Sequence, residues 1–134
     1  MPIVYNTNVT PAIADILELY NHSGYFPIND KTDIGRLEKM HANANVLVTA
    51  WDGSTLVGLA RSLCDFCYCC YLSDLCVRDE YKARGIGQEL VRLTKQEAGE
   101  ECKLILHSSP EAVGFYAKIG MQQIAAAFIL PRTY

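Results

Sequence analysis

A glycine-spaced turn between a strand and a helix constrains this chain more than any other feature. The strand-like run at 71–77 (YLSDLCV) meets a short polar link, and Arg84-Gly85-Ile86-Gly87 then opens an amphipathic helix. Glycines let a backbone approach a ligand closely, and the first turn of a helix presents unpaired N–H groups beside a partial positive charge. Such a turn is a place for a phosphate or pyrophosphate. Lys82 and Arg84 add two cations that suit a pyrophosphate's charge.

Two common nucleotide motifs do not fit. No Gly-Lys-Ser/Thr follows at the spacing a Walker A loop requires. Leu90 stands where the third glycine of a dinucleotide fingerprint would be.

The elements around the turn set the fold class. Residues 3–5 begin a short strand, and Thr10-Pro11 reads as a helix start, with Ile13, Ile16, Leu17 and Tyr20 forming one apolar face. After an aromatic loop at Tyr25-Phe26-Pro27, a second helix is expected over about residues 33–41, carrying Ile34, Leu37 and Met40 on one side. Residues 46–51 and 55–63 flank the hairpin signal Asp52-Gly53, and residues 68–77 continue the meander as a third strand. The glycine turn launches a helix over about 85–98, and residues 103–107 (KLILH) form a compact buried strand. Ser109-Pro110 starts a helix of about ten residues ending at Gly120, and the apolar run 121–130 reads as a last strand. The order is β-α-α-β-β-β-α-β-α-β, a mixed α/β class in a single domain spanning 1–134.

Composition narrows the function classes. The chain has 134 residues, half of them hydrophobic and a fifth charged, as expected of a soluble globular domain with a real core. A net charge of −3 argues against broad binding to nucleic acid or anionic membrane. No apolar run approaches the roughly 20 residues of a membrane span. The N-terminus lacks a basic stretch followed by an apolar one, so a cytoplasmic location is expected. Cys64 and Cys67 have C-x-x-C spacing, but no second pair follows and the cluster with Cys69 and Cys70 lies in strand-like sequence. Free thiols and no metal are the expectation, and a cysteine-based metal or redox domain is the alternative.

The segment Lys82-Ala83-Arg84-Gly85-Ile86-Gly87 resembles the acyl-CoA-binding motif of the GNAT family of N-acetyltransferases, Gln/Arg-x-x-Gly-x-Gly/Ala. That family's second mark, an A-x-x-F-Y-x-x-x-G-Phe/Met helix, is matched by residues 112–121 (AVGFYAKIGM). The two marks occur in the family's order, and the element order matches across nearly the whole chain. The resemblance implies a central twisted mixed sheet flanked by helices, with acetyl-CoA as co-substrate. There are two departures: Lys82 replaces the usual Gln or Arg, losing planar bidentate geometry, and Ser109 stands where many members carry asparagine.

Residue roles follow as implications of that resemblance. The strand edge at Leu75, Cys76 and Val77 pairs with the amides of pantetheine, and one of its N–H groups polarises the thioester carbonyl. The amides of Lys82, Ala83, Arg84, Gly85, Ile86, Gly87 and Gln88 hold the pyrophosphate, while Ser109 contacts the pantetheine arm. Tyr116 protonates the departing CoA thiolate. The base that relieves the ammonium of its proton is left among Asp74, His107 and water. Tyr20, Tyr25, Phe26 and Tyr71 are candidates to line the pocket of a small-molecule primary amine. Glu80 is either part of the site or a solvated charge. A non-catalytic acyl-CoA sensor on the same fold is the rival function, and the apolar 124–130 run makes a homodimer the expected assembly.

Overall fold

The computed structural model describes residues 2–7 and 9–134. Its backbone is a five-stranded sheet in the order β1 (Val4–Asn6), β2 (Val46–Asp52), β3 (Thr55–Cys64), β4 (Cys69–Val77) and β5 (Lys103–Leu106). The first four strands pair antiparallel, and β4 and β5 run parallel. The helices are α1 (Ile13–Asn21), α2 (Ile34–Ala42), α3 (Ile86–Ala98) and α4 (Val113–Lys118). The expected mixed α/β architecture is therefore present.

Helices α1, α2 and α3 cover the sheet with their apolar faces. Ile16, Leu19 and Tyr20 of α1 and Leu37 of α2 pack with Leu47, Leu59 and Cys76 on one side. Ile86, Leu90 and Val91 of α3 pack with Val48, Val57, Ala60 and Leu72 on the other. Strand β3 is buried on both faces, which is why its sequence reads as a continuous apolar run rather than an alternation. The carboxylate of Asp33 accepts the Arg36 N–H at 3.0 Å and caps α2. Thr10 does not cap α1, which starts only at Ile13 after an extended Ala12.

Two expectations near the C-terminus need correction. The helix expected after Ser109-Pro110 resolves into a tight 3-10 turn, Pro110–Ala112, followed by the six-residue α4. The final strand over 121–130 does not form, so the observed order stops at β-α-α-β-β-β-α-β-α. Strand propensity alone cannot make a strand, since the backbone also needs an edge to pair with. Beyond Met121 the chain is instead irregular and exposed, and its last residues reach the α1–α2 segment. The Arg132 guanidinium donates to the Pro27 carbonyl at 3.1 Å, and Arg36 donates to the Tyr134 carbonyl at 2.9 Å.

Candidate active site

The site begins where β4 and β5 part. Their parallel pairing runs from Cys69 opposite Lys103 to Leu72 opposite Leu106, and β4 then continues to Val77 without β5. Its other edge stays paired with β3 up to Val77 opposite Gly58. The β3–β4 register puts Asp74 opposite Arg61 but Leu72 opposite Ser62, so Ser73 is an extra residue that bulges out of the ladder. Beyond this bulge, Leu75, Cys76 and Val77 present one edge with backbone groups open to a ligand that can pair like a strand.

The polar link then turns the chain toward α3. Arg78 N–H bonds to the Val57 carbonyl at 2.8 Å and Asp79 N–H to the His22 carbonyl at 2.7 Å, pinning the start of the loop to β3 and to the end of α1. Ala83 (φ 62°) and Gly85 (φ 82°) are both left-handed. Gly85 is the N-cap of α3, and among the described residues no side chain caps the first-turn amides there. These N–H groups and the helix dipole make the turn an anion seat. A cavity of about 410 Å³ opens beside it, lined by Gly85, Gln88, Glu89, Val91, Arg92 and Ile119.

Gly87 fixes what lies over the turn. A Cβ there would sit 3.1 Å from Cζ of Phe115 and 3.9 Å from Cγ2 of Val77, so the missing side chain lets α4 settle on the first turn of α3. Tyr116, next along α4, is half-buried and meets the Phe115 ring edge-on at 5.1 Å. Burial raises its phenol above the ordinary value, so the hydroxyl keeps its proton at neutral pH.

Beneath Tyr25 lies a buried polar hub. Asp74, 1 % exposed, accepts from Nε of Arg61 at 2.6 Å and from the Tyr20 hydroxyl at 3.1 Å through one oxygen. Its other oxygen accepts from the Tyr25 hydroxyl at 2.9 Å. Tyr20 also meets Nε2 of His41 at 2.9 Å, and Arg61 donates to Ser73 Oγ at 3.0 Å. Burial, reinforced by the Asp74 charge, raises the phenols of Tyr20 and Tyr25. Burial first, and then the Arg61 charge, lowers His41 to about 4, leaving its ring neutral. Burial likewise raises the Cys76 thiol, which leaves it a poor nucleophile.

Residues 27–129 match the family model of the acetyltransferase (GNAT) domain. The chain belongs to the GNAT acetyltransferases. No curated protein sequence matches it significantly. Among solved structures, a probable acetyltransferase from meticillin-resistant Staphylococcus aureus aligns with a TM-score of 0.82 at 20% identity, over 99% of this chain and 100% of that one. A GNAT-family acetyltransferase from Streptococcus pneumoniae aligns at 0.76 and 23% identity, over 99% and 100%. The aminoglycoside N-acetyltransferase AAC(6')-Iy, solved in complex with CoA, aligns at 0.72 and 12% identity, over 99% and 96%. At these identities the likeness is one of fold.

In this GNAT acetyltransferase the open edge at Leu75–Val77, the first turn at Gly85, Ile86, Gly87 and Gln88, and the Tyr116 helix are adjoining parts of the structure, linked through Gly87, Phe115 and Val77. Other expected residues are engaged elsewhere. Nζ of Lys82 is held by the Ser23 carbonyl and the Asp79 carboxylate, both at 2.8 Å, and Arg84 stacks over the Tyr81 ring at 5.0 Å. Ser109 is exposed, with no side-chain cap, ahead of the 3-10 turn. His107 is exposed just past β5, and Glu80 pairs with Arg78 at 3.5 Å. Tyr20 and Phe26 belong to the core cluster, whereas Tyr25 (37 %) and Tyr71 (42 %) reach the surface.

Arg61 and His41 went unread in the sequence. A charge inside the apolar run of β3 was the available signal for Arg61, since a buried cation needs an anion opposite. For His41 the signal was its i, i+4 spacing from Leu37 on the buried face of α2.

Proposed function

We propose that this protein moves the acetyl group of acetyl-CoA directly to a primary amine of a small molecule. The observation that carries the reading is the linkage just described: an unpaired strand edge, an uncapped helix N-terminus and a protonated tyrosine tied together through Gly87 and Phe115. Acetyl-CoA supplies an activated acyl carbon and a thiolate leaving group. The edge at Leu75–Val77 pairs the pantetheine amides and polarises the carbonyl, while the turn at Gly85–Gln88 takes the pyrophosphate. The two loop cations, Lys82 and Arg84, contribute by shaping the turn and by their charge nearby rather than by pointing into it.

The amine nitrogen forms its bond to the acyl carbon as the carbon–sulfur bond breaks. The Tyr116 phenol gives its proton to the sulfur. Direct transfer is favoured over an acyl-cysteine route because Cys76, the cysteine on this edge, is a buried neutral thiol. Asp74 is the candidate base by position, but Arg61, Tyr20, Tyr25 and Ser73 already donate to its carboxylate. Asp74 is therefore given the task of anchoring the Tyr25 ring through its hydroxyl, with water taking the ammonium proton.

The test is acetyl-CoA turnover against a panel of primary amines, with Tyr116→Phe beside the wild type. Loss of the proton donor should lower kcat by roughly 10²-fold or more while CoA affinity by calorimetry stays put. No CoA binding by the wild type would remove the transferase reading. Tight binding without turnover on any amine would point to an acyl-CoA sensor, and an unchanged rate in the variant would remove only the role of Tyr116.

A further inference from the structure

We propose that Cys64 and Cys102 form a reversible modification site, which a low-molecular-weight disulfide such as oxidised glutathione converts into one disulfide joining the end of β3 to the turn before β5. The pair lies at the end of β4 away from the glycine turn. Sequence spacing points instead to Cys64 and Cys67. Yet Cys67 is exposed in the β3–β4 loop, its amide on the Asp65 carboxylate at 3.0 Å, while the Cys64 sulfur meets that of Cys102 at 3.8 Å.

The surroundings give the two thiols different parts. Cys64 is half-buried, so a dissolved reagent can reach it, and its sulfur accepts the Phe66 N–H at 3.3 Å. A donor on sulfur favours the thiolate, which is the attacking species. Cys102 is only 2 % exposed, and its thiol donates to the Asp65 carboxylate at 3.7 Å. It is closed to a reagent from outside but in contact with whatever forms on Cys64.

Mobility selects Cys102 over Cys70 as the partner. Turning a sulfur contact into a bond needs an approach of about 2 Å. Cys102 stands outside β5, in the turn after the left-handed Gly99 (φ 94°), where the backbone can follow. Cys70 is fully buried and held from both sides, opposite Cys64 in one ladder and Leu104 in the other.

The exchange runs in two steps. The Cys64 thiolate attacks one sulfur of the reagent, a bond forms between them, the reagent's own S–S bond breaks and one glutathione thiolate leaves. Cys102 then loses its proton to water and attacks the Cys64 sulfur, expelling the second glutathione thiolate. Two protein thiols are oxidised and the reagent is reduced to two thiols, which take up the protons the protein released. The inference is independent of the acetyl transfer proposed above, and its readouts do not use activity.

The test incubates the full chain with oxidised glutathione, blocks the remaining thiols by alkylation and maps the peptides. Those of Cys64 and Cys102 should be joined. The oxidised chain should melt roughly 10 °C higher than the reduced one, because the bond closes a loop that holds β4 and α3. Excess dithiothreitol should restore both the free thiols and the lower Tm. Cys102→Ser should keep glutathione on Cys64 as a mixed disulfide and show no rise in Tm, and Cys64→Ser should leave Cys102 reduced. Mapping of the wild type decides the matter even where a variant fails to fold. The proposal is overturned if Cys64 and Cys102 both stay free, if Cys67 alone carries glutathione, or if Cys64 is joined to Cys67 or Cys70.

Discussion

Acidification should destabilise this protein through His41. The ring is 4 % exposed, and its Nε2 meets the Tyr20 hydroxyl at 2.9 Å. Tyr20 gives its proton to Asp74, so Nε2 must carry the hydrogen and Nδ1 is left bare, with no partner among the described residues. Protonation would place a second N–H at Nδ1 in a dry site already facing the Arg61 cation, and the Asp74 charge offsets this only in part. Folded His41 therefore titrates near 4, against an ordinary 6.5. The sign follows directly: between pH 6.5 and 4 the unfolded chain binds a proton that the folded chain refuses, so stability rises with pH across that window and is lost as pH falls. Integrating between pH 7 and pH 5 gives a loss of about 2 kcal/mol from this one group. For a chain of this size that corresponds to a fall in Tm of roughly 6–10 °C. Thermal unfolding at both pH values measures it, and His41→Gln, which keeps a donor toward Tyr20 but cannot titrate, should flatten the slope by most of that amount. The His41 ring signals in NMR should also stay fixed from pH 7 to pH 5. A variant as acid-sensitive as the wild type would refute the assignment.

Other residues of the same site give sharp outcomes. Arg61→Met should cost about 3–5 kcal/mol in denaturant unfolding, because it strands a fully buried carboxylate with only neutral hydroxyl donors; a loss below about 1 kcal/mol would mean the pair is effectively solvated. Gly85→Ala meets no atom within 4 Å, so its cost is backbone strain alone at φ +82°, about 1–2 kcal/mol. Gly85→Asn should recover a good part of that, and equal losses for the two would exclude left-handed strain as the cause. Tyr25→Phe should change stability by no more than about 1 kcal/mol while raising KM for the amine more than it lowers kcat. A change confined to KM for acetyl-CoA would place Tyr25 on the wrong side of the cleft.

The fold was legible wherever a periodic pattern and its punctuation agreed. The helix expected over about 33–41 forms as α2, the Asp52-Gly53 signal marks the β2–β3 hairpin whose loop is Gly53 and Ser54, and Gly85 sits left-handed at the head of α3. The site was legible where chemistry needs a local motif, at the glycine turn and the Phe115-Tyr116 helix. It was illegible where partners lie far apart in sequence. Arg61 and Asp74 face each other across the β3–β4 ladder only because Ser73 is spare, and no pattern in either strand announces a bulge. Lys82 shows how a side chain's engagement also escapes the sequence. Its charge beside a helix N-terminus argued for a phosphate contact, yet a lysine is a flexible point charge, and the Ser23 carbonyl and Asp79 carboxylate claim it first.

The bulge at Ser73 ties these threads together. It falls one residue past the last β4–β5 pair, so the ladder to β3 is disturbed at the place where the ladder to β5 ends. An extra residue in one strand sharpens its twist, and a strand twisting away from its parallel neighbour opens a cleft between them. The same slip sets Asp74 opposite Arg61 and below Tyr25. Opening of the cleft and the meeting of Asp74 with Arg61 thus both depend on Ser73 standing outside the ladder. Deleting Ser73 should restore regular pairing with Asp74 still opposite Arg61 and Leu75–Val77 still opposite the same β3 residues, while β4 loses the extra twist that parts it from β5. Such a variant should lose CoA binding by calorimetry while the Tyr25–Asp74 contact seen by structure stays. Unchanged CoA binding would show that the bulge does not open the cleft.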